Sequence, residues 1–255
     1  MASNPPSSCC IIGVKHDSNR GNPAGKSINF DSIDAYIAEP SDPNVHPNTA
    51  ILFLPDVIGI WQNSKLMADQ FASNGYTTLL IDTFNKDPLS LDKPADFDFL
   101  GWLNKGSTGN NPHTAEFVDP IVEKGLAYLK RNGFTKIGGV GYCFGGKYVT
   151  RLLASGKGLD VGYVAHPSFV TEEELANIKG PYSISAAEID KIFTTELRHK
   201  SEEILIKTGL PYQINLFGGV SHGFAVRCDL SKKIEKFSKE KAFLQAVQWF
   251  DEHLV

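Results

Sequence analysis

The spacing of apolar residues changes period along this chain, and the changes outline alternating strands and helices. Ile28 to Ala38 alternates, with Ile33, Ala35 and Ile37 set against Ser32, Asp34 and Tyr36, and predicts an early antiparallel strand. Ala50 to Leu54 is a continuous apolar run, the pattern of a strand buried on both faces of a parallel sheet. Asn63 to Asn74 has the wider spacing of an amphipathic helix, closed by Gly75, and Tyr76 to Ile81 is the next buried strand; together they make a βαβ unit. Further on, the pattern predicts a helix over Thr114 to Asn132, a strand from Ile137 to Val140 and a helix from Lys147. Strands follow at Val161 to Ala165, Tyr182 to Ala186 and Tyr212 to Leu216, with helices at Thr171 to Ile178, Thr194 to Thr208 and Ile234 to His253. Thr171 and Glu174 have the spacing of a capping box. The alternation predicts an α/β fold, a mostly parallel doubly wound sheet flanked by helices.

Two stretches interrupt the pattern. Residues 1–27 are rich in Pro, Ser, Asn and Gly and read as an irregular lead-in lying over the domain. Residues 83–112 are polar and Pro-containing yet carry Phe97, Phe99 and Trp102, which predicts a cap-like insertion within one domain spanning 28–255. The three aromatics are lid candidates, with core packing the better reading for any one of them.

At 255 residues the chain is long enough for one large core. A net charge of −4 with no basic run argues against nucleic acid or an anionic membrane as a partner. The N-terminus lacks a signal-peptide pattern and nowhere are there 18 consecutive apolar residues, so the expectation is a soluble cytoplasmic protein, monomer or homodimer. Four scattered cysteines are too few for a disulfide framework. The vicinal pair Cys9-Cys10 reads as structural or redox-exposed, because no second CxxC or His pair completes a metal site with it.

The chemistry concentrates at Thr135 to Ala154. An apolar strand runs into Gly141-Tyr142-Cys143-Phe144-Gly145, the G-x-S-x-G nucleophile-elbow pattern with cysteine at its centre, and then into a helix. Such a turn exposes Cys143 at the strand's end and places its sulfur at a helix N-terminus, where unpaired N–H groups favour thiolate. Gly141 to Lys147 also fits the start of a Walker A loop, but Tyr148 stands where Ser or Thr must hold magnesium. A second candidate, Gly21 to Ser27, is one residue short and follows no strand. A structural cysteine in a Gly-rich turn is the remaining alternative.

Ligands of doubly wound sheets bind outside the carboxyl ends of the strands. Those ends carry Asp56, Asp82, Cys143, His166, Asp190 and His222. Cys143, Asp190 and His222 fall in the nucleophile, acid, histidine order of α/β-hydrolases, with His222 as base and Asp190 orienting it. Glu188 competes with Asp190 from the same strand end, and pattern alone does not choose. The amides of Phe144 and Val57 are the candidate oxyanion donors. His166 ends the strand after the elbow and is a candidate substrate contact, a lone histidine being more often structural.

Gly-Tyr-Cys-Phe-Gly-Gly at 141–146, Leu-Pro-Asp-Val-Ile-Gly at 54–59, Ala-Glu-Ile-Asp at 187–190 and Ser-His-Gly-Phe at 221–224 together resemble the dienelactone hydrolase (carboxymethylenebutenolidase) family over about residues 28–255. The Cys-Cys and Gly-rich lead-in is similar to the family's fungal branch. The resemblance implies an α/β-hydrolase fold and a Cys-Asp-His enzyme that opens a small-molecule lactone or ester through a thioester, without metal or cofactor. It also implies that Asp56, in the place of an acidic residue that restrains the resting cysteine in bacterial members, gates Cys143, the rival reading for Asp56 being a helix cap. Arg227 and Lys86 lie where bacterial members have the arginines that grip a substrate carboxylate, but Arg227 is displaced by one position and Lys86 is not an arginine. An acyl transferase or tailoring enzyme of secondary metabolism using the same acyl-enzyme, and a non-catalytic small-molecule binder, are the rival functions.

Overall fold

The computed structural model describes residues 2–13, 22–91, 93–94, 96–154 and 156–255. Among these, eight strands form one sheet: β1 (Lys26–Phe30), β2 (Ile33–Ala38), β3 (Thr49–Leu54), β4 (Thr77–Ile81), β5 (Lys136–Tyr142), β6 (Val161–Ala165), β7 (Tyr182–Ile189) and β8 (Tyr212–Ser221), in the order β1-β2-β4-β3-β5-β6-β7-β8. β1 and β2 pair antiparallel, β2 runs antiparallel to β4, and every later pairing is parallel. This is the mostly parallel α/β sheet that the alternation predicts, and its central strands β3 and β4 are buried throughout, as continuous apolar runs require.

The expected strand Ile28 to Ala38 is in fact a hairpin. Asp31 and Ser32, both at positive φ, reverse the chain between β1 and β2. A two-residue hairpin needs φ > 0 at both turn positions, and Asp-Ser is a weak signal for it because Ser gains little there.

Helices cover both faces. On one lie α1 (Gln62–Ser73), the short α7 (Phe224–Arg227) and α8 (Lys233–His253), with Met67, Phe71, Ala246 and Phe250 packed on Ile51, Phe53, Leu80 and Val140. On the other lie α3 (Ala115–Arg131), α4 (Phe144–Leu152), α5 (Glu172–Ala176) and α6 (Thr195–Thr208), against Leu52, Leu54, Leu79 and Ile81. Each strand sends alternate residues to the two cores. The Thr171 capping box at α5 is formed with Glu174 as its spacing predicts.

The insertion over 83–112 contains α2 (Phe99–Lys105). Phe99 and Trp102 are buried in the α3-side core, and Trp102 packs on Phe84, which in turn meets Phe144 with ring centroids 5.0 Å apart. Trp102, through Phe84, therefore packs behind the turn at Cys143, and Phe99 and Trp102 are core residues. The lead-in is irregular apart from a 3-10 turn at Ser8–Ile11, and its stretch 14–21 lies outside the described residues, as does Gly21 of the second Walker-like match.

Candidate active site

The turn from β5 to α4 brings two backbones unusually close. Cys143 sits at φ 51°, ψ −110°, in the positive-φ region where a side chain costs about 1–3 kcal/mol. A Cβ on Gly145 would lie 2.0 Å from the Leu54 carbonyl oxygen, and one on Gly141 would lie 2.7 Å from that of Gly145. Only glycine fits at either place. Gly145 N–H donates to the Pro55 carbonyl at 3.1 Å, which ties the elbow to the loop after β3. That loop carries the Val57 amide; the Val57 carbonyl accepts from Leu89 N–H at 2.8 Å. Phe144 opens α4, where an N–H has no partner within its own helix.

β7 and β8 run longer than their apolar cores, and this added length brings the acid to the histidine. Their ladder continues to Ile189 opposite Ser221 after a bulge beyond Ala187, and His222 N–H donates to the Ile189 carbonyl at 3.2 Å. The next residues, Asp190 and His222, consequently emerge side by side, with His222 Nδ1 2.8 Å from Asp190 Oδ2. Asp190 Oδ1 accepts from the N–H groups of Ile192 (2.8 Å) and Phe193 (3.0 Å), so both carboxylate oxygens are fixed. Burial opposes the charge on Asp190, but the imidazolium and these bonds hold its carboxyl below the usual range. Glu188 points elsewhere: its Oε2 accepts from Gly219 N–H at the exposed edge.

The Cys143 sulfur is fully buried and faces a partner that motif reasoning missed, Cys10. The two Sγ atoms are 3.4 Å apart, and Cys10 Sγ is 3.7 Å from His222 Nε2. Ser168 Oγ approaches Cys143 Sγ at 3.6 Å from the other direction, and its N–H donates to the Cys143 carbonyl. Burial works against a charged sulfur, but the Cys10 hydrogen bond, the charge and hydrogen bond of His222 and the charge of Arg227 bring the Cys143 thiol well below its ordinary value. Burial likewise disfavours charge on His222, yet the Cys143 and Asp190 charges lift the imidazole to about 10. Both shifts favour a thiolate on Cys143 beside an imidazolium on His222. Cys10, pushed well up by burial and by bonding to its two cysteine neighbours, stays a thiol. Its sulfur, that of Cys143 and a His222 nitrogen lie within 4.8 Å of one another, a donor set that would also suit a soft cation.

Cys10 arrives on the lead-in, which is stitched to the strand ends. Ser3 N–H donates to Val170, Asn4 N–H to Ile192 and Phe169 N–H to Asn4, all at 2.8–2.9 Å. Arg227, buried, holds the far end: Nε donates to the Ile12 carbonyl at 3.2 Å and Nη2 reaches that of Cys9 at 3.5 Å. Its Nη1 pairs with Asp56 Oδ2, while Asp56 Oδ1 accepts from Ile58 N–H at 3.1 Å. Burial raises the Asp56 carboxyl, and Arg227 opposes that rise. The implied roles of both residues are thereby altered. Asp56 caps no helix, since α1 starts at Gln62, and it is Cys10 that meets the thiolate; Arg227 is occupied by Asp56 and the lead-in. Cys10 is also buried, contrary to the redox-exposed reading of the vicinal pair.

The structure does not bring Lys86 to this group. Its side chain is largely exposed and pairs with Asp34 at 3.4 Å. His166 does reach the site: buried, at φ 38°, it sets its ring edge-on to His222 with centroids 4.9 Å apart. Neither of its ring nitrogens has a partner among the described residues, and burial together with the His222 and Arg227 charges keeps it neutral.

Comparison with known proteins places the chain in a family. The model of the dienelactone hydrolase family matches residues 33–254. The hydrolase pyvD of Aspergillus violaceofuscus is 47% identical over 256 residues, covering 100% of this chain and 99% of that protein. Dienlactone hydrolase 1 of Gibberella moniliformis is 34% identical, covering 95% and 92%. The crystal structure of dienelactone hydrolase from Anabaena variabilis superposes with a TM-score of 0.62 at 14% identity, covering 91% of this chain and 99% of that one, and so shares the fold. An elbow cysteine, an Asp-paired histidine and a family match over nearly the whole sheet lead to one assignment: this chain belongs to the dienelactone hydrolase family.

Proposed function

We propose that the protein hydrolyses a small lactone or ester through a thioester on Cys143, with His222 as acid and base and Asp190 as its orienting partner. The observation that carries this reading is the Asp190–His222 hydrogen bond at 2.8 Å together with the elbow sulfur of Cys143, which lies within 4.8 Å of a His222 ring nitrogen. Cys143 Sγ attacks the substrate carbonyl carbon and the oxygen gains charge, which the Val57 and Phe144 amides stabilise in this reading. Collapse breaks the carbon–oxygen bond to the alcohol, which takes a proton from His222. Water then gives a proton to His222 and attacks the thioester, and the acid leaves as Cys143 returns to thiolate. No step calls on a metal or cofactor. The neutral His166 ring packs edge-on against the base. The four cysteines, none of them in a disulfide, suit the reducing cytoplasm, and the chain would act there on a small molecule as monomer or homodimer.

Reaction with an activated aryl ester tests the proposal. The wild type is expected to give a burst and an acyl adduct by intact mass, and Cys143→Ala neither. Equal rates in the two proteins without an adduct would refute it.

A further inference from the structure

A nucleophilic thiolate invites oxidation, and here it rests against a second thiol. Cys143 and Cys10 are both fully buried, 133 residues apart in sequence, with sulfurs 3.4 Å apart and His222 Nε2 next to Cys10. Cys10 is not held there by that contact alone: backbone bonds at Ser3 and Asn4 anchor the lead-in before it, and Arg227 grips the carbonyls of Cys9 and Ile12 on either side. The hydrolytic steps give Cys10 nothing to do, and its sulfur lies in direct contact with that of Cys143.

We propose that Cys10 is a resolving thiol, and that oxidation of Cys143 by a hydroperoxide ends in a Cys10–Cys143 disulfide that fastens the lead-in over the nucleophile. A small uncharged oxidant such as hydrogen peroxide suits so enclosed a sulfur. The Cys143 thiolate attacks one peroxide oxygen, the O–O bond breaks, and the hydroxide released takes the His222 proton, leaving water and a Cys143 sulfenic acid. Cys10 then loses its proton to neutral His222 and attacks the Cys143 sulfur; the S–O bond breaks and the departing hydroxide recovers the proton as a second water. Two thiols and one peroxide become one disulfide and two waters. The disulfide stops the nucleophile short of the sulfinic and sulfonic acids, from which thiols do not restore it. The inference rests on the thiolate reading of Cys143.

The test treats the full-length protein with stoichiometric hydrogen peroxide and maps it by tryptic digestion and mass spectrometry without reductant. Wild type and Cys9→Ser are expected to lose two hydrogens and yield peptide 1–15 linked to peptide 137–147, with aryl-ester turnover falling on the same time course and returning with dithiothreitol. Cys10→Ser is expected to form no such link, to gain two or three oxygens at Cys143, and to stay inactive after dithiothreitol. A Cys9–Cys10 bond in place of the link, or oxygens on wild-type Cys143 without it, overturns the proposal. The link is read by mass alone, so its absence leaves the hydrolase reading standing, and a protein that links but never turns over ester sinks only the latter.

Discussion

Asp190→Asn isolates the orienting carboxylate. The substitution keeps the shape of the side chain, and its amide oxygen can still accept from the N–H groups of Ile192 and Phe193, so the loop after β7 stays in place. What it removes is the charged acceptor 2.8 Å from His222 Nδ1. A hydrogen bond to a charged group contributes about 1.5–3 kcal/mol. At about 1.36 kcal/mol per tenfold in rate, its loss in the transition state slows acylation by roughly 10- to 160-fold. The new NH2 group also favours the tautomer with the imidazole proton on Nε2, which cannot take a proton from water; that error is worth up to about 10⁴-fold in a serine triad. Acylation and deacylation by an aryl ester, followed in stopped flow, should show deacylation falling further, since only that step needs His222 as a base toward water. Asp190→Ala should lose stability as well, about 1–3 kcal/mol for each of the two N–H groups left unpaired. An Asp190→Asn enzyme within about threefold of wild type, or a greater loss from Glu188→Gln, would refute the argument.

The buried Arg227–Asp56 pair gives a second expectation. Arg227→Met strands a buried carboxylate and should cost about 3–5 kcal/mol in urea unfolding, while Arg227→Met with Asp56→Asn should recover more than half of that; strictly additive losses would contradict the pairing. The thiolate–imidazolium pair sets a pH dependence. His222, raised from 6.5 to about 10, contributes stability that is complete below pH 6.5 and lost as pH rises through about 10, whereas the lowered Cys143 contributes stability that is complete above 9.0 and lost as pH falls through its folded value. Where the two windows overlap the opposing slopes offset each other, so the excess Tm of wild type over Cys143→Ser should be greatest near pH 7–9 and decline on both sides; a flat difference from about pH 5 to 10.5 would contradict it.

Much of this arrangement can be read from the sequence because its causes are local. β3 and β4 are buried on both faces and must be apolar at every position; the elbow needs glycines where backbones touch, and these survive as a motif. The choice between Asp190 and Glu188 depends instead on how far β7 and β8 pair. Beyond Ala186 that pairing runs through partly exposed edge residues and a bulge, so no hydrophobic period marks it. The β1–β2 turn is hidden for a related reason, since Asp31-Ser32 carries no strong turn signal even though both residues adopt positive φ.

The lead-in is the instructive failure. Its Pro- and Ser-rich letters have no period because its described residues before β1 hold no helix or strand beyond the 3-10 turn at Ser8–Ile11, yet Ala2, Ser3, Cys10 and Ile11 are all buried. What fixes it lies elsewhere in the chain: carbonyls and amides at Phe169, Val170 and Ile192, and the guanidinium of Arg227. Arg227 is available for this because Asp56 pairs with it inside the protein. Arg227 thus links the carboxylate of Asp56 to the chain segment that carries Cys10 to the sulfur. A vicinal Cys-Cys in an otherwise featureless stretch was the one letter-level sign of it, and it could be interpreted only once the elbow it faces was in view.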